Sequence, residues 1–144
     1  MSQQTNTLQE EATSSIFSTK LLMISSAVFL AVLGLVASFF PENVLAAYNL
    51  ETTFMGILMV KVMGALYLGF AVLNWMGKGN LIGGIYSRPV AMGNFVHFVF
   101  IAITLLKLLI TNQATILIIT GATLYTLFAI CFGYILFSGG KSCS

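Results

Sequence analysis

Lys61 and His97 are the two side chains whose surroundings single them out, because each interrupts a long apolar run. A cation inside a membrane helix costs about 2.5–3.5 kcal/mol at mid-depth, so it has to reach a headgroup or hold something. Lys61 lies about two turns inside its run. One reading lets it snorkel toward the outer headgroups, with Glu42 or Glu51 as partner. The other turns it toward the helices as a cation for an anionic or carbonyl group. His97 could donate or accept a proton, and at helical spacing Asn94, His97, Thr104, Lys107 and Thr111 share an arc of about 140°. A polar stripe of this kind faces protein or water rather than acyl chains. Lys61, Tyr67, His97 and Lys107 are thus the candidate ligand-binding residues, a polar lining for a small anionic molecule or a quinone headgroup.

The same residues also have a structural reading. Tyr67 and Asn74 lie seven residues apart on one face, and the next run is antiparallel. Asn74 then comes to the depth of Asn94, and Tyr67 to that of His97. Asn74, Asn94 and Thr104 are expected to make interhelical polar contacts, worth about 0.6 kcal/mol each and up to about 1.7. Ala65 and Gly69 form a small-xxx-small pair with Gly64 beside them, which predicts close helix packing. Thr120, Thr123 and Thr126 trace a hydroxyl stripe that can satisfy itself on the preceding turn's carbonyls.

These residues need elements to hold them, and the composition says which. Apolar residues make up 58% of the chain and charged ones 7%, with a net charge of +2, and the mean hydropathy is +0.99. So few charges cannot solvate a water-facing surface, so lipid is the solvent. Soluble enzymes, disulfide-stapled domains and nucleic-acid binders are excluded. A bilayer core of about 30 Å takes roughly 20 residues of helix. Four runs fit, at about 21–40, 54–76, 90–110 and 115–137. Pro41-Glu42-Asn43, Gly77-Lys78-Gly79-Asn80 and Thr111-Asn112-Gln113 separate them. The expected fold is all-α, a polytopic membrane protein with a four-helix bundle over 20–138. Residues 1–19 read as a flexible polar tail and 139–144 as a second one. The first run is longer than a signal h-region, so it reads as a retained helix.

Lys20, Lys78, Arg88 and Lys141 fall at one end of the spans and Glu42 and Glu51 at the other. The positive-inside rule therefore puts both termini in the cytoplasm. Lys107 snorkels from the opposite end. Lys78, Arg88 and Trp75 read as headgroup-level anchors. Residues 41–52 suit a short interfacial helix with Tyr48 at headgroup depth. The glycine-rich loop at 77–89 reads first as a flexible connector, and otherwise as a re-entrant or phosphate-binding segment.

No Asp or Glu occurs in any span, which disfavours a carboxylate-coupled pump or cation transporter. One histidine and two separated cysteines, Cys131 and Cys143, cannot assemble a metal centre, and no cofactor is expected. Both thiols are expected to be free. No nucleophile–base pair is visible, so no catalytic residue is assigned.

The run Lys61-Val-Met-Gly-Ala-Leu-Tyr-Leu-Gly-Phe-Ala-Val-Leu-Asn-Trp75, a short basic loop, then Arg88-Pro-Val-Ala-Met-Gly-Asn94 resembles the small four-helix bacterial membrane proteins grouped as DoxX-like. The resemblance covers about residues 54–107 and implies a four-helix fold in a bacterial inner membrane. Some DoxX-like proteins are associated with quinone-linked oxidoreductase systems. This chain has no redox motif, so that activity is not carried over.

Three functions follow, in descending order of expectation. The first is a non-catalytic accessory or assembly subunit of a larger membrane complex, or a structural homo-oligomer, with other membrane subunits or further copies and the bilayer as partners. The second is a carrier or channel for a small anionic or amphipathic molecule along Lys61, Tyr67, His97 and Lys107. The third is a quinone- or lipid-linked membrane enzyme with His97 as acid/base, although no carboxylate is placed to orient that imidazole.

Overall fold

Lipid offers backbone amides no hydrogen-bond partners, so a chain of this composition must bond its own backbone within each span. The computed structural model describes residues 2–79, 87–111 and 115–138, with residues 2–18, 87 and 138 described by their backbone alone. Its helices are α1 (Ser2–Phe39), α2 (Pro41–Ala47), α3 (Phe54–Gly77), α4 (Ser87–Ile110) and α5 (Ile116–Ser138). Four helical stretches, Thr19–Phe39, Phe54–Gly77, Arg88–Ile110 and Ile116–Phe137, are long and apolar enough to cross a membrane. The all-α class and the four spans expected from the sequence are found, and the chain is a multi-pass membrane protein.

The polar stretch expected as a tail carries regular structure instead, because α1 begins at Ser2. No proline precedes Pro41, so nothing in the sequence forbids the first span's helix from continuing toward the N-terminus. The tail at 139–144 and most of the loop at 77–89 lie outside the described residues.

Helix ends follow local chemistry. Pro41 opens α2, where its missing N–H costs nothing. Asn49 then takes a left-handed conformation, φ 53°, while the Leu50 and Asn49 amides donate to the Leu45 and Ala46 carbonyls at 3.0 Å each. That is a Schellman closure, with Asn in the left-handed position usually held by Gly. Thr53 caps α3, its hydroxyl oxygen accepting from the Gly56 amide at 3.1 Å. Leu45 is buried and lies against Gly56 in that first turn.

The chain divides into two compact units, Met23–Lys78 and Met1–Leu22 with Gly79–Ser144. In the Met23–Lys78 unit, α1 and α3 run antiparallel: Gly34 and Ser38 meet Gly64, and Ser26 meets Asn74. The other unit is centred on the α4–α5 hairpin, also antiparallel, with Leu105 near Gly121 and Phe95 over Gly133. The buried residues Ala91, Asn94, Phe98 and Ala102 form the α4 seam, and Ile118, Ala122, Tyr125, Phe128 and Phe132 form that of α5. Spacings of three and four keep one narrow face of each helix inward, and the remaining apolar faces are left for lipid.

Candidate functional site

The two units hold the candidate residues separately. In the Met23–Lys78 unit, Asn74 is fully buried, and its Nδ2 donates to Ser26 Oγ at 3.0 Å. Ser26 Oγ in turn donates to the Met23 carbonyl at 3.0 Å. A relay from amide to hydroxyl to backbone therefore ties α3 to α1 with its polar atoms bonded inside the apolar seam. Ser26 was not singled out from the sequence, although a hydroxyl within a run of apolar residues is the signal that could have found it.

Substituting Asn74 and Ser26 singly and together should reveal a coupling of about 1 kcal/mol, within the range for interhelical bonds in membranes. Denaturant titration in micelles of Asn74→Ala, Ser26→Ala and the double variant measures it. Strictly additive losses would mean the bond contributes nothing.

Gly64 lies in the same seam. A Cβ there would meet Ser38 Oγ at 2.5 Å and the Ser38 backbone nitrogen at 2.8 Å. The pair predicted for packing beside it lies elsewhere: Ala65 and Gly69 are exposed, and nothing stands within 4 Å of a Cβ at Gly69. Lys61, Ala65 and Gly69 follow at intervals of four and so form one exposed ridge of α3. Lys61 therefore does not face inward, and Tyr67, half-buried, lies about 120° away around the helix. At the end of α3, the Lys78 ammonium sits 3.1 Å from the centroid of the Trp75 ring, so the two residues expected as headgroup anchors meet as a cation–π pair.

In the α4–α5 hairpin, His97 is part of an aromatic cluster. Its ring lies edge-on to Phe98 at 5.4 Å and tilted against Tyr125 at 6.1 Å. Phe98 stacks on Phe128 at 4.9 Å and on Phe132 at 5.6 Å. Tyr125, buried at the centre of α5, was not picked out from the sequence. It lies three residues before Phe128 and seven before Phe132, an aromatic spacing that marks one helix face.

The stripe predicted along α4 does not stay on one surface. Asn94 is buried, and its Nδ2 donates to the Val90 carbonyl at 2.8 Å. Thr104, expected between helices, is instead exposed, and its hydroxyl donates to the Phe100 carbonyl of its own helix at 2.8 Å. Thr123 does the same with the Ile119 carbonyl at 2.9 Å. Lys107 is exposed in the last turn of α4, where a cation complements the helix dipole. An arc of 140° is wider than the seam, so the stripe passes from the packed face at Asn94 to the lipid face at Thr104.

No protein-family model, curated protein or solved structure matches this chain. What the site can do therefore rests on its own geometry. Lys61 and Tyr67 belong to one unit, His97 and Lys107 to the other. The Tyr67–His97 and Asn74–Asn94 pairs expected from the sequence would each bridge the units, and they remain expectations. Arg88 is exposed in the first turn of α4, and Cys131 is a half-buried free thiol. Among the described residues, no three His, Cys, Asp or Glu side chains gather as a metal site.

Proposed function

We propose that this chain is a non-catalytic subunit of a larger membrane assembly, joined through the exposed ridge of α3. The observation that carries the reading is Lys61 on that ridge, about 10 Å inside α3 from Phe54, with Ala65 and Gly69 beside it. A cation on a lipid-facing surface is costly, while small residues let another helix come close. Both features suit a partner helix carrying Asp or Glu at the same depth. A different polypeptide suits this ridge better than a second copy, because no span of this chain contains an acid at that depth. The DoxX-like resemblance and the basic residues Lys20, Lys78 and Arg88 support placement in a bacterial inner membrane with both termini cytoplasmic.

The test is gentle extraction of the tagged chain, followed by native mass spectrometry and cross-linking. Wild type is expected in a hetero-complex in which a spanning carboxylate of the partner lies beside residue 61. Lys61→Leu is expected to lose the partner while the isolated chain becomes no less stable, since a costly cation has gone. A homo-oligomer unchanged by Lys61→Leu would overturn the proposal, as would turnover of a substrate by the purified chain alone.

A further inference from the structure

The α4–α5 hairpin carries a second exposed feature, an open apolar groove of about 650 Å³. It follows one stripe of α5, from Thr126 through Ile130, Gly133 and Tyr134 to Phe137, with Phe95 and Val99 of α4 on its other side. That stripe is about 16 Å long at 1.5 Å per residue. Gly133 makes the floor: a Cβ there would stand 3.0 Å from the Phe95 ring, so the groove exists where a side chain is missing. Phe137 meets the Phe95 ring edge-on at 6.0 Å at the end of the groove nearer Arg88. Tyr134 and Phe137, each 74% exposed, rise as the rim.

Arg88 completes the arrangement. It lies seven residues before Phe95, hence on the same face of α4, about 10 Å nearer the helix end and exposed. The span Arg88–Ile110 measures about 34 Å against a core of about 30 Å, which puts Arg88 at headgroup depth. No Asp or Glu lies between Gly79 and Ser144, so the hairpin itself offers that guanidinium no acid. A flexible chain can follow the open groove along its length and meet its apolar lining throughout.

We propose that this groove seats one acyl chain of an anionic phospholipid whose phosphate is held by Arg88. The headgroup gives selectivity through a charge-assisted bond to the guanidinium. The groove gives retention through dispersion contact along its floor. The lipid comes from the leaflet into which the Arg88 end of α4 projects.

The test is reconstitution into vesicles of equal parts phosphatidylglycerol and phosphatidylcholine, then detergent extraction and native mass spectrometry. Wild type is expected to retain one phosphatidylglycerol. Arg88→Gln should lower the ratio of retained phosphatidylglycerol to phosphatidylcholine about five-fold, the share of one basic residue at a membrane surface. Ile130→Trp, which fills the groove from an exposed position, should abolish retention of both lipids while the helical circular dichroism stays unchanged. Lys61→Leu should leave lipid retention as in wild type, which separates this site from the α3 ridge. Phosphatidylglycerol retained equally by wild type, Arg88→Gln and Ile130→Trp would overturn the proposal. So would a lipid-free dimer that Ile130→Trp dissociates, because the groove would then be filled by a second copy.

Discussion

Gly64→Ala is expected to destabilise the Met23–Lys78 unit by about 1–2 kcal/mol, whereas Gly69→Ala, five residues on, is expected to stabilise it by up to about 1 kcal/mol. Both changes gain helix propensity, since alanine exceeds glycine by about 0.8–1.0 kcal/mol in a helix interior. At Gly69 nothing opposes that gain, because no atom lies within 4 Å of the new methyl. At Gly64 the methyl would meet the Ser38 backbone nitrogen at 2.8 Å and the Gly34 carbonyl oxygen at 3.0 Å. Backbone cannot rotate aside as a long side chain can, so α1 and α3 must separate, and the packing around them loosens. Overpacking of this kind costs about 1–3 kcal/mol, which exceeds the propensity gain. Gly34→Ala should behave like Gly64→Ala, since its methyl meets the Gly64 carbonyl oxygen at 2.9 Å and the Leu68 backbone nitrogen at 2.9 Å. The double variant should cost less than the sum, because both methyls force the same gap. Denaturant titration in mixed micelles reads all four. Equal effects at Gly64 and Gly69 would mean that α1 does not pack on the Gly64 face.

The contrast between these two glycines marks where the sequence stops being informative. Lipid fixes the length and polarity of a span, so the four crossings can be read almost to the residue, with Pro41 marking where the first one stops. Which face of a span packs is another matter. When every face is apolar, hydropathy has no direction, and Gly64 cannot be told from Ala65 or Gly69. In α1, Gly34 and Ser38 are themselves a small-xxx-small pair and carry the contact to Gly64, yet nothing in the pattern ranks them above Ala65 and Gly69. The polar residues divide in the same way. Asn74 is buried against Ser26, while Thr104 is satisfied by its own helix and needs no neighbour. The helical start at Ser2 escaped notice for the opposite reason, since polar Ser, Thr and Gln carry no apolar periodicity to announce a helix.

Phe98→Ala is expected to cost the α4–α5 hairpin about 2–3 kcal/mol, the largest loss from any single truncation there. In a water-soluble core the same change costs about 3–5 kcal/mol, part of which is the transfer of the ring out of water. That part disappears here, because the separated helices would expose the ring to acyl chains as apolar as the core. What remains is the cavity and the lost dispersion contact, and Phe98 has much of both to lose. It is fully buried, stacked on Phe128 and Phe132, and met by His97 and Tyr125 from the sides. Phe100→Ala is the matched control, since that ring is 67% exposed, and its loss should be close to zero. The chain has one histidine, so its ring protons give a single set of resonances that report on the cluster. Phe98→Leu keeps most of the volume but removes the ring current, and should shift the His97 resonances at a cost of about 1 kcal/mol. A Phe98→Ala loss no greater than that of Phe100→Ala would place the α4 seam on another face. Unmoved His97 resonances in Phe98→Leu would detach the histidine from the stack, even if the stability loss were as large as expected.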